Sequence, residues 1–126
     1  KVIYFDFWAR WCPPCLAEME PLKQLRSKYS TKDLVIYSIC VSEPKEEWEE
    51  CLNEYSLKNR GIECIYANDF LGKENYQKIC NQWNVHDMPY YILINRKGQI
   101  IDFGSSARPS NPNLRSRIEE AVKNIK

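Results

Sequence analysis

The chain alternates between short stretches in which nearly every residue is apolar and longer segments in which apolar residues recur every three or four positions. The first kind is typical of a strand covered on both faces, and the second of a helix with one buried side. The pattern predicts strands over 1–8, 34–41, 62–67, 90–94 and 99–103. It predicts helices over 14–29, 45–55, 73–83 and 112–125.

The order of these elements predicts the architecture. Strands that are joined through helices run parallel, whereas the turn-like residues 95–98 (Asn-Arg-Lys-Gly) predict an antiparallel hairpin. We therefore expect an α/β fold in which a central mixed sheet is flanked by helices. A length of 126 residues, with 44% hydrophobic and 28% charged residues, suits one domain over residues 1–126.

Three prolines bear on the helices. Pro14 lies in the first turn of its helix, where a missing N–H has no partner to lose, and Pro112 follows Asn111 as a first helical residue follows its N-cap. Pro21 lies inside the first predicted helix and removes one of its hydrogen bonds. We expect a kink at Pro21.

The formal net charge is +1, so the chain generates no strong field toward a charged partner. Its longest apolar runs, such as 90–94, are too short to cross a bilayer. We therefore expect this domain to bind neither nucleic acid nor a membrane surface. We also expect it to be a monomer.

The candidate chemistry lies where the first strand meets the first helix, in the sequence Trp11-Cys12-Pro13-Pro14-Cys15. Two intervening residues bring the sulfurs within reach of one disulfide in the first helical turn. Free N–H groups at a helix start favour the thiolate of the first cysteine, and a thiolate is what attacks a disulfide. This placement predicts that Cys12 is the nucleophile and that Cys15 resolves the mixed disulfide which Cys12 forms.

The remaining cysteines stand apart from one another, at positions 40, 51, 64 and 80. A zinc site would need a second close pair of ligands, and His86 is the only histidine. We therefore expect neither a metal nor a bound cofactor, and we interpret His86 as a loop residue. Six cysteines fit an oxidising compartment. Cys51 and Cys64, on a helix and the strand that follows it, are the best candidates for a further disulfide.

Asp6 lies in the middle of the apolar run Val2-Ile3-Tyr4-Phe5-Asp6-Phe7-Trp8. A carboxyl group buried there is costly to ionise, so its pKa should rise above the ordinary value. Such a group, below the active-site motif, can take a proton from Cys15. The alternative is that Asp6 faces solvent at a strand end.

Three segments of the chain resemble the thioredoxin superfamily. These segments are 6–15, which leads from the strand into the cysteine pair; 85–90, which resembles the loop that carries the family's cis-proline; and 92–100, which resembles its hairpin. The helix and strand between Glu43 and Ala67, and the approach to the last helix at 107–110, resemble the TlpA/ResA-like branch of bacterial extracytoplasmic oxidoreductases.

This resemblance implies a thioredoxin-like fold with an inserted helix–strand unit. It implies catalytic roles for Cys12, Cys15 and Asp6, and it places Trp11, Pro13, Met88 and Pro89 at the substrate-binding surface. The expected partners are proteins with dithiols or disulfides and an upstream redox partner. The expected location is periplasmic or otherwise extracytoplasmic, with a further strand, leader or membrane anchor upstream of Lys1.

Other functions remain open at the level of sequence. The same fold could serve as a binding module in which Cys12 and Cys15 form only a structural disulfide. A metal chaperone could use the same thiols. A peroxidase of the peroxiredoxin type ranks low, because the Pro-x-x-x-Thr-x-x-Cys loop of that chemistry does not occur in the chain.

Overall fold

The computed structural model describes residues 1–42, 44–82 and 88–123, and within these ranges it contains a five-stranded sheet. The strands are β1 (Val2–Trp8), β2 (Leu34–Cys40), β3 (Ile62–Tyr66), β4 (Tyr90–Ile94) and β5 (Ile100–Gly104). Their order across the sheet is β3-β2-β1-β4-β5. β1, β2 and β3 run parallel, whereas β4 is antiparallel to both β1 and β5. The predicted mixed sheet is confirmed.

Six helices connect and cover these strands in the described ranges. They are α1 (Pro13–Ala17), α2 (Met19–Lys28), α3 (Lys45–Glu54), α4 (Ala67–Leu71), α5 (Lys73–Gln82) and α6 (Pro112–Lys123). The helix α3 and the strand β3 form the inserted unit that the resemblance implied. The short helix α4 was not predicted. No helix among the described residues is both long enough and apolar enough to cross a membrane.

The first predicted helix is divided, but not at the position that we expected. It breaks at Glu18, between α1 and α2, rather than at Pro21. In a continuous helix, residue 21 would donate its N–H to the carbonyl of Ala17, and the ring of a proline at 21 pushes against that carbonyl. The disruption therefore falls at the preceding turn, where the Glu18 N–H bonds back to the carbonyl of Cys15 at 3.2 Å.

The core lies on both faces of the sheet, and β1 contributes to each face. The larger cluster packs Val2, Tyr4 and Trp8 against side chains of α1, α2, α3 and α6. The smaller cluster, on the opposite face, includes Phe7 and Ile92. Because β1 is the central strand and is covered on both sides, its side chains are buried or half-buried throughout Val2–Trp8. Cys12 and Cys15 belong to the larger cluster.

Candidate active site

The cysteine pair occupies the start of α1, as predicted. Cys12 is the N-cap residue, and its sulfur accepts the backbone N–H of Cys15 at 3.3 Å. Pro13 and Pro14 form the first helical positions between them. The Cα atoms of Cys12 and Cys15 are 5.3 Å apart and their sulfurs are joined in a disulfide. Both residues are almost fully buried, with 4% of Cys12 and 2% of Cys15 exposed.

The loop that precedes the pair is fixed by Arg10, a residue that sequence analysis did not single out. The Arg10 backbone N–H donates to Ser42 Oγ, and its guanidinium Nη1 donates to Cys51 Sγ, both at 2.9 Å. The guanidinium also lies 3.8 Å from a carboxylate oxygen of Glu47 and 3.9 Å from one of Glu54. Arg10 therefore ties the active-site loop to the inserted helix α3. Its position beside the motif was the only sequence signal for this role.

The residues expected at the substrate-binding surface differ in exposure. Trp11 is the most exposed large apolar side chain among the described residues, with 69% of it accessible, and Pro13 is also exposed. Met88 and Pro89 are half-buried, and the peptide bond between them is cis. Met88 packs against the core cluster that contains both active-site cysteines. His86 lies outside the described residues.

Asp6 is buried on the face of β1 that carries Tyr4 and Trp8, and the core cluster on this face contains both active-site cysteines. Only 3% of it is exposed, and it is paired across the sheet with Ser38 on β2 and Tyr91 on β4. Burial raises the pKa of the Asp6 carboxyl from 3.8 to about 8, and the nearby charge of Glu18 adds to the rise. The predicted burial and the predicted direction of the pKa shift are confirmed.

Glu18 is a second acidic group of the site, and its role was not predicted from the sequence. It lies at the break between α1 and α2, three residues after Cys15, and only 12% of its side chain is exposed. Its carboxylate accepts the backbone N–H of Ser110 at 2.9 Å and the Ser110 hydroxyl at 2.7 Å. The guanidinium of Arg108 lies 4.0 Å away. The sequence carries no signal for this contact, because 92 residues separate Glu18 from Ser110.

The other cysteines do not form the disulfide that we considered. Cys51 and Cys64 are both free, so the candidate disulfide between them does not form. Their sulfurs have different partners. Cys51 Sγ accepts a hydrogen bond from the Arg10 guanidinium, whereas Cys64 Sγ lies 3.7 Å from the carbonyl of Ile62. Burial raises the pKa of Cys40 and raises that of Cys64 to about 11, which disfavours their thiolates. The side chain of Cys80 lies outside the description.

In the described ranges, no group of three or more His, Cys, Asp or Glu residues is arranged to hold a metal ion. The chemistry that the disulfide of Cys12 and Cys15 can perform is thiol chemistry. Two cysteines close a disulfide at a helix start, and the central strand that leads into them carries a buried carboxyl group with a raised pKa.

A mixed sheet whose central strand leads into a Cys-x-x-Cys disulfide at the start of a helix defines the thioredoxin-like class of proteins. A family model described as thioredoxin-like matches residues 1–100, and the chain belongs to this family.

Named relatives agree with this family. The thiol-disulfide oxidoreductase ResA of Bacillus thuringiensis (strain Al Hakam) is 26% identical over 102 residues, which cover 81% of this chain and 53% of ResA. A candidate thiol-disulfide oxidoreductase from Bacteroides vulgatus, solved in solution, is 33% identical with a TM-score of 0.68. That match covers 95% of this chain and 72% of the solved one.

The fold itself is shared more widely. A thiol:disulfide interchange protein from a Bacteroides species superposes with a TM-score of 0.79 at 21% identity, covering 100% of this chain and 76% of the solved chain. The chain spans about half the length of the ResA proteins that it matches.

Proposed function

We propose that this domain is a thiol–disulfide oxidoreductase that exchanges disulfides with protein substrates through Cys12 and Cys15. The observation that carries the proposal is the disulfide between these residues at the start of α1, where the Cys15 N–H bonds to Cys12 Sγ. That N–H stabilises a Cys12 thiolate, which is the species that attacks a disulfide. The names of the relatives, ResA among them, support the same chemistry.

Exchange in the reducing direction takes two steps. The Cys12 thiolate attacks one sulfur of a substrate disulfide, forms a mixed disulfide with it, and displaces the other substrate sulfur as a thiolate. Cys15 then loses its proton and attacks Cys12 Sγ. The mixed disulfide breaks, the second substrate sulfur leaves as a thiolate, and the Cys12–Cys15 disulfide forms. The substrate gains two electrons from the enzyme dithiol, and the opposite direction reverses each step.

Asp6 is the proton acceptor for the second step. It is buried on the core face of β1, in the same region of the core as Cys15, and a pKa of about 8 lets it exchange a proton near neutral pH. Cys15 must be deprotonated where solvent does not reach it freely, since only 2% of it is exposed. An internal carboxylate supplies the base that water cannot.

Substrate proteins dock on the surface around the motif, through Trp11, Pro13, Met88 and Pro89. Trp11 offers a large exposed apolar contact directly before Cys12. The backbone at Met88 and Pro89, at the start of β4, offers main-chain groups with which an extended substrate segment can pair.

The proposed cellular setting rests on the cysteine content and on the similarity to ResA. We propose one thioredoxin-like domain over residues 1–126 that works as a monomer in the periplasm or another extracytoplasmic compartment. There it would receive electrons from, or pass them to, an upstream redox partner. The cysteine content fits an oxidising compartment, and the similarity to ResA supports this setting.

Trapping of substrates tests the division of labour between the cysteines. A Cys15→Ser variant should accumulate mixed disulfides with an oxidised protein substrate such as insulin, whereas Cys12→Ser should not. A Cys64→Ser variant, which removes a half-buried thiol outside the motif, should behave as the parent protein. Non-reducing electrophoresis measures the adducts. Equal trapping by both motif variants would refute the roles, and a parent protein that reduces no insulin with dithiothreitol would refute the activity.

A further inference from the structure

The hydroxyl group of Tyr91 is a buried polar group that the exchange chemistry leaves unused. Tyr91 lies on an internal strand of the sheet, and no part of it is exposed. Its hydroxyl has no hydrogen-bond partner among the described residues. Leaving a hydroxyl buried and unpaired is destabilising, and phenylalanine would fill the same space without this cost. Such a group calls for a functional explanation.

The position of Tyr91 points to Asp6. The two residues are direct partners across the antiparallel pair β1–β4, so their side chains leave the sheet on the same face. The ring of Tyr91 is stacked on that of Tyr4, with ring centres 5.9 Å apart and planes within 3°. Tyr4 is itself fixed, because its hydroxyl donates to the carbonyl of Ala107 at 2.6 Å. The Tyr91 ring is thereby held against Tyr4, at the strand position directly opposite Asp6.

The charged and titratable groups around Tyr91 come from several elements. Asp6 and the Tyr4 hydroxyl belong to β1, Glu18 lies at the α1–α2 break, and Arg108 lies in the loop after β5. Burial raises the pKa of Tyr91, the charges of Asp6 and Glu18 raise it further, and Arg108 opposes them. On the β2 side, Cys40 is the titratable group near Asp6. When ionised, the carboxylates of Asp6 and Glu18 only accept hydrogen bonds, so each needs a neighbouring group that donates one.

A phenol hydroxyl suits a carboxyl group that changes its protonation state. It donates a hydrogen bond to a carboxylate, and it accepts one from a carboxylic acid. Building on the function proposed above, we propose that Tyr91 is a positioning residue. Its hydroxyl hydrogen-bonds the Asp6 carboxyl group, directly or through one water, in both protonation states, and so keeps that group ready to take the Cys15 proton. The contact forms in the reduced protein, where Cys15 carries the proton to be transferred.

The proposal predicts a change in pH dependence. Without the hydroxyl, the Asp6 carboxylate loses a donor, so it ionises at higher pH. In Tyr91→Phe, the midpoint of the resolution rate should move up by about one pH unit from the parent midpoint, because the hydrogen bond donated to the charged carboxylate is stronger, by about that much, than the one accepted from the neutral acid. At about pH 7 this shift slows resolution by about tenfold, while the rates converge once Asp6 is fully ionised. The attack by Cys12 should not change.

The experiment follows one equivalent of 5,5′-dithiobis(2-nitrobenzoate) added to the reduced protein by stopped flow. The first release of nitrothiobenzoate reports attack by Cys12, and the second reports resolution by Cys15. Tyr4→Phe is the matched control, since it removes a hydroxyl from the same stacked pair but one that already bonds to Ala107. Carbon-13 NMR titration of the Asp6 carboxyl in each reduced variant measures its pKa independently of turnover.

The outcomes separate this proposal from the one on which it rests. The role of Tyr91 is supported if the pH profile of resolution shifts in Tyr91→Phe but not in Tyr4→Phe. It is also supported if the Asp6→Asn/Tyr91→Phe double variant resolves no more slowly than Asp6→Asn alone. If Asp6→Asn slows resolution but Tyr91→Phe overlays the parent, or if both tyrosine variants shift equally, the role of Tyr91 is refuted and that of Asp6 stands. If Asp6→Asn resolves at the parent rate, both roles are refuted.

Discussion

Replacing Asp6 by asparagine should change how the stability of the folded protein depends on pH. Among the described residues, Asp6 carries the most buried carboxyl group, and its pKa is raised from 3.8 to about 8. Below pH 3.8 the carboxyl is protonated in both the folded and the unfolded chain, so it costs nothing. As pH rises, the unfolded chain ionises first, and the folded protein loses stability until the pH passes about 8.

The size of this effect follows from the pKa interval. One pKa unit corresponds to about 1.4 kcal/mol, so ionisable Asp6 lowers the free energy of unfolding by about 4 kcal/mol at about pH 7. The cost rises to between about 5 and 6 kcal/mol above about pH 9, where it becomes constant. An asparagine in its place keeps the shape of the side chain and removes the titration. The stability gained by Asp6→Asn should therefore grow by about 1.4 kcal/mol per pH unit between about pH 4 and about pH 8.

Urea denaturation of the oxidised proteins, followed by circular dichroism from about pH 4 to about pH 9, measures this difference. Glu50→Gln, on the exposed side of α3, is the control that makes the same change in net charge without removing a buried group. A stability difference between Asp6→Asn and the parent that stays constant across this range would contradict the reasoning. It would mean that the folded protein ionises Asp6 as easily as the unfolded chain does.

Three further predictions concern other parts of the site and its support. Arg26 is buried and donates hydrogen bonds to the carbonyls of Leu34, Tyr29 and Ser30 at 2.6, 2.9 and 3.0 Å. Arg26→Met should therefore lower the free energy of unfolding, measured by urea denaturation, by about 3 kcal/mol, and an unchanged value would contradict this. Trp11→Ala should raise the KM for a protein disulfide by about tenfold and leave attack on dithiobis(nitrobenzoate) unchanged; equal losses on both substrates would contradict a docking role. Arg10→Met should increase amide hydrogen exchange in residues 9–12 by about fivefold, because one hydrogen bond from the guanidinium to Cys51 is lost. Unchanged exchange there would show that the loop is held by other contacts.

The features of this protein that follow from sequence alone depend on residues that are close together in the chain. The apolar run of β1 followed by Cys-Pro-Pro-Cys predicts a buried strand that leads into a helix start, because strand burial and helix initiation are local properties. The hairpin turn depends on Gly98, which has a φ of 82° that other residues rarely adopt. The N-cap at Asn111 accepts the Asn113 N–H at 2.9 Å, two residues on. Asp6 could be predicted as buried because its own neighbours are apolar.

Tertiary structure decided what depends on residues far apart in the chain. The helix break at Glu18, displaced by a turn from Pro21, places a second carboxylate near Asp6, and Ser110 holds it there from 92 residues away. Arg10 reaches Cys51 across 41 residues, and this contact occupies the sulfur that sequence spacing suggested for a disulfide with Cys64. The pairing of Asp6 with Tyr91 depends on the register of β1 against β4. Side-chain periodicity indicates which face of a strand is buried, but only the packed sheet determines which buried side chains meet, because register and packing are properties of the whole fold.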